Sequence, residues 1–173
     1  MKEPTDIQSA FFDLENESST LTAALKALES QPENQSLSRA FLIFSTLELL
    51  AQFRYGSLDQ KGSVKRLKKF VLRYSNWNAT ECEWLIQFRN AVIHTQGQWA
   101  YDMRSKKEYR FTWESAERTI EKHTNSVINI DINRFEAQLK RMMRSYREEL
   151  ENSKHLSENF HTVYRKLGKV FQR

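Results

Sequence analysis

Apolar residues recur at helical spacing along most of the chain and alternate with polar ones in a single stretch. Ile7, Phe11, Leu14, Leu21, Leu25 and Leu28 are separated by three, four or seven positions, which predicts one long amphipathic helix over residues 6–29 that ends at Pro32. A second helix is expected from about Ser36, with Leu37, Ala40, Phe41, Phe44, Leu47 and Leu50 or Ala51 on its inner stripe and a stop near Gly56. A third, from about Ser63, turns Val64, Leu67, Phe70, Val71 and Tyr74 inward and leaves Lys65, Arg66, Lys68, Lys69 and Arg73 outside.

Residues 75–78 read as a turn. Asn78, with Glu81 three positions later, makes a helix-start pair, because the Asn side chain accepts from the first free N–H groups and the Glu reaches back. The fourth helix therefore runs from there through Trp84, Leu85, Phe88, Val92 and Ile93 toward Gly97. Beyond it the period falls to two. Trp99, Tyr101 and Met103, then Tyr109, Phe111 and Trp113, alternate around residues 104–107, which predicts a β-hairpin. Val127, Ile128, Ile130 and Ile132 suit a short third strand, while residues 115–123 fit helix or loop. Ile132, Phe135, Leu139, Met142, Tyr146 and Leu150 restore the helical stripe, and Leu156, Phe160, Val163, Leu167 and Val170 continue it past a polar break at 151–154. One bent helix or two accommodate this pattern. There is no internal repeat and no low-complexity tract.

At 173 residues the chain fits one domain of ordinary size. Four glycines and two prolines are too few turn-formers for a many-stranded sandwich or barrel. The longest apolar run, residues 40–44, is far below the roughly 18 residues of a membrane span, and the acidic first twenty residues do not read as a secretory leader. A lone cysteine, Cys82, supports neither an internal disulfide nor a multi-thiolate metal site. The expected setting is cytoplasmic, without membrane, metal or cofactor. Net charge is +5, yet residues 1–34 hold seven acids and two lysines. The rest of the chain is therefore strongly basic, which favours a polyanionic partner such as RNA.

The candidate chemistry lies late on the fourth helix. With Arg89 placed at 0°, Asn90 falls at about 100° and His94 at about 140°, away from the stripe of Leu85, Phe88 and Val92. Arg and His without a carboxylate beside them suit phosphodiester cleavage in RNA. A histidine that titrates near neutrality exchanges protons with the 2′-hydroxyl or the leaving 5′-oxygen, worth roughly 10²- to 10⁴-fold in rate. An arginine offsets the charge growing on the phosphorane. Because the attacking hydroxyl belongs to the substrate, no metal is needed and DNA is inert. The sequence lacks a His/Asp/Glu cluster with metal-ligand spacing, a Gly-rich phosphate loop, a Gly-x-Ser-x-Gly elbow and a His-Glu-x-x-His pair, which removes metalloenzyme, kinase and serine-hydrolase readings.

The string Phe88-Arg89-Asn90-Ala91-Val92-Ile93-His94, late on an amphipathic helix that follows two others, resembles the HEPN superfamily of small α-helical domains. Its signature is an Arg, usually followed by a polar residue, then a His four to six intervening residues later. A second Arg–His pair at this spacing, Arg118 and His123, is followed by Thr119 and has no clean apolar stripe around it. The resemblance covers residues 6–97, plus the C-terminal helices by architecture, and implies an all-α fold. This is a HEPN-like up-and-down bundle of four to six helices with a β-hairpin insertion near 99–113. The whole chain, 1–173, is expected as one domain with the insertion at 98–114.

The resemblance further implies a metal-independent endoribonuclease, a toxin or phage-defence component. Arg89 and His94 would be its catalytic pair and Asn90 their polar partner, in a homodimer through the motif-bearing helix. An antitoxin protein is a possible further partner. Lys65, Arg66, Lys68, Lys69, Arg104, Lys106 and Lys107 are the candidate RNA-binding positions. The rival expectations are a catalytically inactive HEPN module that binds protein or nucleotide, and a helical nucleic-acid-binding protein without catalysis.

Overall fold

The computed structural model describes residues 20–30, 35–95 and 99–170. In chain order these form α1 (Thr20–Glu29), α2 (Ser36–Tyr55), α3 (Ser63–Tyr74), α4 (Ala79–His94), β1 (Trp99–Asp102), β2 (Lys107–Thr112), β3 (Ile120–Lys122), β4 (Val127–Ile130), α5 (Ile132–Glu151) and α6 (Lys154–Val170). The N-terminal helix expected over 6–29 is described only from Thr20, where Leu28 is buried and Leu25 packs against the core. Ile7, Phe11, Leu14 and the helix stop at Gly97 lie outside the described residues.

The helix boundaries follow local chemistry. At the start of α4 the Asn78 carbonyl oxygen accepts from the backbone N–H of Thr80 at 2.9 Å and of Glu81 at 3.0 Å, and the Asn78 N–H donates to Glu81 Oε2 at 2.9 Å. This reciprocal box satisfies donors that a helix start otherwise leaves open. Gly56 ends α2 in the left-handed region at φ 66°, donating to the carbonyls of Gln52 and Phe53. Asp131 opens α5 by accepting from the N–H of Arg134 at 3.0 Å. The polar break at 151–154 separates two helices.

Phe44 of α2 is the aromatic hub, 5.6 Å from Phe88 of α4 and 5.4 Å from Phe135 of α5, both edge-on. Phe53 stacks on Phe160 at 4.5 Å and so docks α6 onto α2. On the sheet side Phe88 reaches Phe111 of β2 at 5.2 Å. One continuous core therefore runs from the helices into the strands.

Here the all-α expectation, an up-and-down bundle with a hairpin insertion, is overturned. The hairpin exists, with Trp99 opposite Arg110 and Tyr101 opposite Glu108, but it is half of a four-stranded mixed sheet ordered β1-β2-β4-β3. β2 pairs with β4 in parallel, Phe111 beside Ile128, and β3 pairs with β4 antiparallel. Ile128 and Ile130 are fully buried. Asn129 between them is 1% exposed and closes the end of β2, accepting from Thr112 Oγ1 and the Glu114 N–H and donating to the Glu114 carbonyl. The parallel pair needs a non-local crossover, and three-residue β3 lies within the stretch 115–123 that fitted helix or loop.

Two stripes shift as well. Phe41 and Val64, expected inside, are exposed, and Ile43 takes the inner place on α2. In β1 the alternation puts the small residue inside: Ala100 is buried while Trp99 and Tyr101 stand about half exposed.

Candidate functional site

The last two turns of α4 carry Arg89, Asn90 and His94 on the side away from buried Leu85, Phe88 and Val92. Arg89 is not in open solvent. Its Nε donates to Glu48 Oε1 of α2 at 2.7 Å, Nη2 approaches the same oxygen at 2.7 Å, and Nη1 donates to Asn90 Oδ1 at 3.3 Å. Only 15% of the Arg89 side chain is exposed, against 25% for Glu48, so the pair is partly shielded and the guanidinium holds one orientation. Among the described residues at most three of its five N–H groups are engaged, leaving two for an incoming phosphate oxygen. His94, one turn beyond Asn90, is exposed, and its imidazole makes no hydrogen bond or ion pair among the described residues. The structure thus joins Arg89 to Asn90 and leaves the imidazole separate.

The sequence pattern placed no carboxylate beside Arg89, and Glu48 corrects this. Its signal was a lone acid inside the apolar run Leu47-Glu48-Leu49-Leu50, a place where a charge calls for a partner.

The candidate RNA-binding residues divide into two groups. On α3, Lys65 is exposed. Lys69 is also exposed, with Nζ 6.0 Å from the Tyr55 ring centroid. Arg66 is turned back onto the α2–α3 loop, donating to the carbonyls of Lys61 and Asp59, and Lys68 is paired with Glu83. The hydrogen bond to Glu83 raises the Lys68 pKa. At the hairpin tip Arg104, Lys106 and Lys107 are all exposed. This tip is shaped by Asp102, whose carboxylate accepts from Ser105 Oγ at 2.6 Å and from the Arg104 N–H at 3.0 Å, and by Lys106 in the left-handed region at φ 56°. Those bonds, Ser105's first, hold the Asp102 carboxyl below the usual range.

The second Arg–His pair separates. Arg118 bonds to the buried carboxylate of Glu81, and His123 follows β3, its N–H bonded to the Val127 carbonyl at 3.0 Å. Among the described residues no group of three or more His, Cys, Asp or Glu is placed to hold a metal ion, and no helix is long and apolar enough to cross a membrane.

Comparison of the chain with family models, with curated proteins and with solved structures finds no match in any of the three.

Proposed function

We propose that this chain is a metal-independent endoribonuclease of the HEPN type that cleaves RNA by attack of the 2′-hydroxyl, acting as a toxin or phage-defence component. In this reading Arg89 binds the scissile phosphate through its unengaged N–H groups, Asn90 holds the guanidinium, and His94 moves the proton of the attacking or leaving oxygen. The observation that carries the reading is the Arg89 guanidinium, steered by Glu48 and Asn90 on the helix turns that also present an unpartnered imidazole at His94. A second copy of α4 across a homodimer would enclose the pair and exclude water from it.

The test is incubation with end-labelled RNA and its deoxy-substituted twin in the presence of a chelator. Cleavage confined to the ribose substrate, leaving a 2′,3′-cyclic phosphate and falling roughly 10²- to 10⁴-fold in His94→Ala, is the expected result. Equal cleavage by both proteins, or none by either, overturns it.

The Glu48 contact favours a second reading, a catalytically inactive HEPN module that docks a partner protein through the same face. A guanidinium already matched to a carboxylate is a strut between two helices as readily as a phosphate ligand. A folded protein that cleaves no RNA and loses stability in Arg89→Ala supports it.

A further inference from the structure

At the other end of α4, about 20 Å of helix away from His94, a cavity of about 270 Å³ opens between the start of α4, β3 and α5. We propose that it is a second, separate site for a phosphate monoester. Three guanidiniums from two parts of the fold line it: Arg118 ahead of β3, and Arg134 and Arg141 two turns apart on α5.

Their engagement differs in a way that fits a ligand. Arg118 is fixed by Glu81, a buried carboxylate whose second oxygen is taken by the Asn78 N–H. That acid is therefore already matched and opposes an anion little. Arg134 Nε donates to the Ala116 carbonyl at 2.6 Å and lies 3.5 Å from Asp131. The Arg141 guanidinium has no hydrogen bond or ion pair among the described residues, and the remaining carboxylate of the lining, Glu117, is exposed. Gln138 lines the same cavity from α5 and is 5% exposed, adding an amide to the guanidiniums of the wall.

The occupant's chemistry follows from the lining. A tetrahedral dianion offers three oxygens to guanidiniums arriving from different directions, where a planar carboxylate matches one fork. Gln138 and Asn76 present amides to the polar remainder, and Trp77 forms the apolar wall. The phosphate has two possible sources, a free phosphorylated small molecule or the phosphorylated end of an RNA strand.

Calorimetric titration of the full chain with inorganic phosphate, glycerol 3-phosphate and glycerol tests the site without any nuclease readout. Both phosphates are expected to bind and glycerol not to. Arg141→Ala is expected to weaken binding roughly tenfold and Gln138→Leu severalfold, while Arg144→Ala, on the same helix outside the cavity, leaves it unchanged. A tetraribonucleotide with a 5′-phosphate that binds tighter than glycerol 3-phosphate, and loses that advantage as a 5′-hydroxyl, assigns the phosphate to an RNA end. A weaker one assigns it to a free ligand. No binding by either phosphate, or equal weakening by Arg141→Ala and Arg144→Ala in variants with unchanged circular dichroism, overturns the proposal.

Discussion

Arg89 and Glu48 join α4 to α2 through one carboxylate oxygen, Oε1, which both Nε and Nη2 of the guanidinium approach at 2.7 Å. The same two helices are also joined by the Phe44–Phe88 aromatic pair at 5.6 Å, so a packed hydrophobic seam helps fix the spacing of the helices that carry the charged groups. Glu48→Gln keeps the shape but weakens the charge-assisted bond, with an expected stability loss of about 1 kcal/mol. If Arg89 acts on phosphate, the same variant also lowers RNA cleavage per folded molecule, because the guanidinium is no longer oriented. Urea denaturation alongside cleavage assays separates the two effects. Lost stability with unchanged cleavage would assign the pair a purely structural role.

Arg39 and Glu136 form a buried ion pair between α2 and α5 at 2.7 Å, and Lys140 adds a second contact to Glu136 at 3.0 Å. Burial alone would raise the Glu136 pKa, but the hydrogen bonds from Arg39 and Lys140 outweigh it and hold the carboxyl below its ordinary value of 4.5. A carboxyl depressed in the folded state contributes stability that is fully present above the unfolded value and is lost as pH falls through the folded one. Thermal unfolding should therefore show stability falling below about pH 4.5, with a shallower fall in Glu136→Gln. Arg39→Ala strands part of the Glu136 charge and is expected to cost about 3 kcal/mol at pH 7, the low end for a broken buried pair because Lys140 remains.

Cys82 is fully buried against α3, and burial pushes its thiol up to about 11. Since the thiolate is the reactive form, native protein at pH 8 should react with iodoacetamide far more slowly than protein in denaturant. Mass spectrometry of the alkylated chain measures this, and equal rates would show that the α3–α4 seam opens readily.

Gly56 and Gly62 both sit at positive φ, at 66° and 87°, but only one is crowded. A Cβ at Gly56 would lie 2.7 Å from Asn159 Oδ1, whereas at Gly62 the nearest atom is Arg66 Nη1 at 3.6 Å. Asn159 is held in place by donating to the Arg54 carbonyl at 2.9 Å, so it does not yield freely. Gly62→Ala is expected to cost about 1 kcal/mol from backbone strain alone and Gly56→Ala about 2 kcal/mol or more. Chemical denaturation of the two variants reads the difference.

Much of this architecture was legible residue by residue. Spacing located α2, α3 and α4, Asn78 with Glu81 marked the start of α4, and alternation found the hairpin, because each depends on groups within a few positions of one another. The same pattern named Arg89, Asn90 and His94 as neighbours on one helix. It did not decide which way Trp99 and Tyr101 face, since alternation tells which residues share a strand face but not which face meets the core.

Tertiary structure decided everything that depends on long loops. The parallel pairing of Phe111 with Ile128 turned an expected insertion into a four-stranded sheet. Packing of α2 on α4 supplied Glu48 to Arg89 across 41 positions, and folding gathered Arg118, Arg134 and Arg141 around one cavity. Local sequence sets backbone preference through nearby hydrogen bonds and hydrophobic period. Which distant side chains meet is set by how apolar faces bury one another, a property of the whole chain at once.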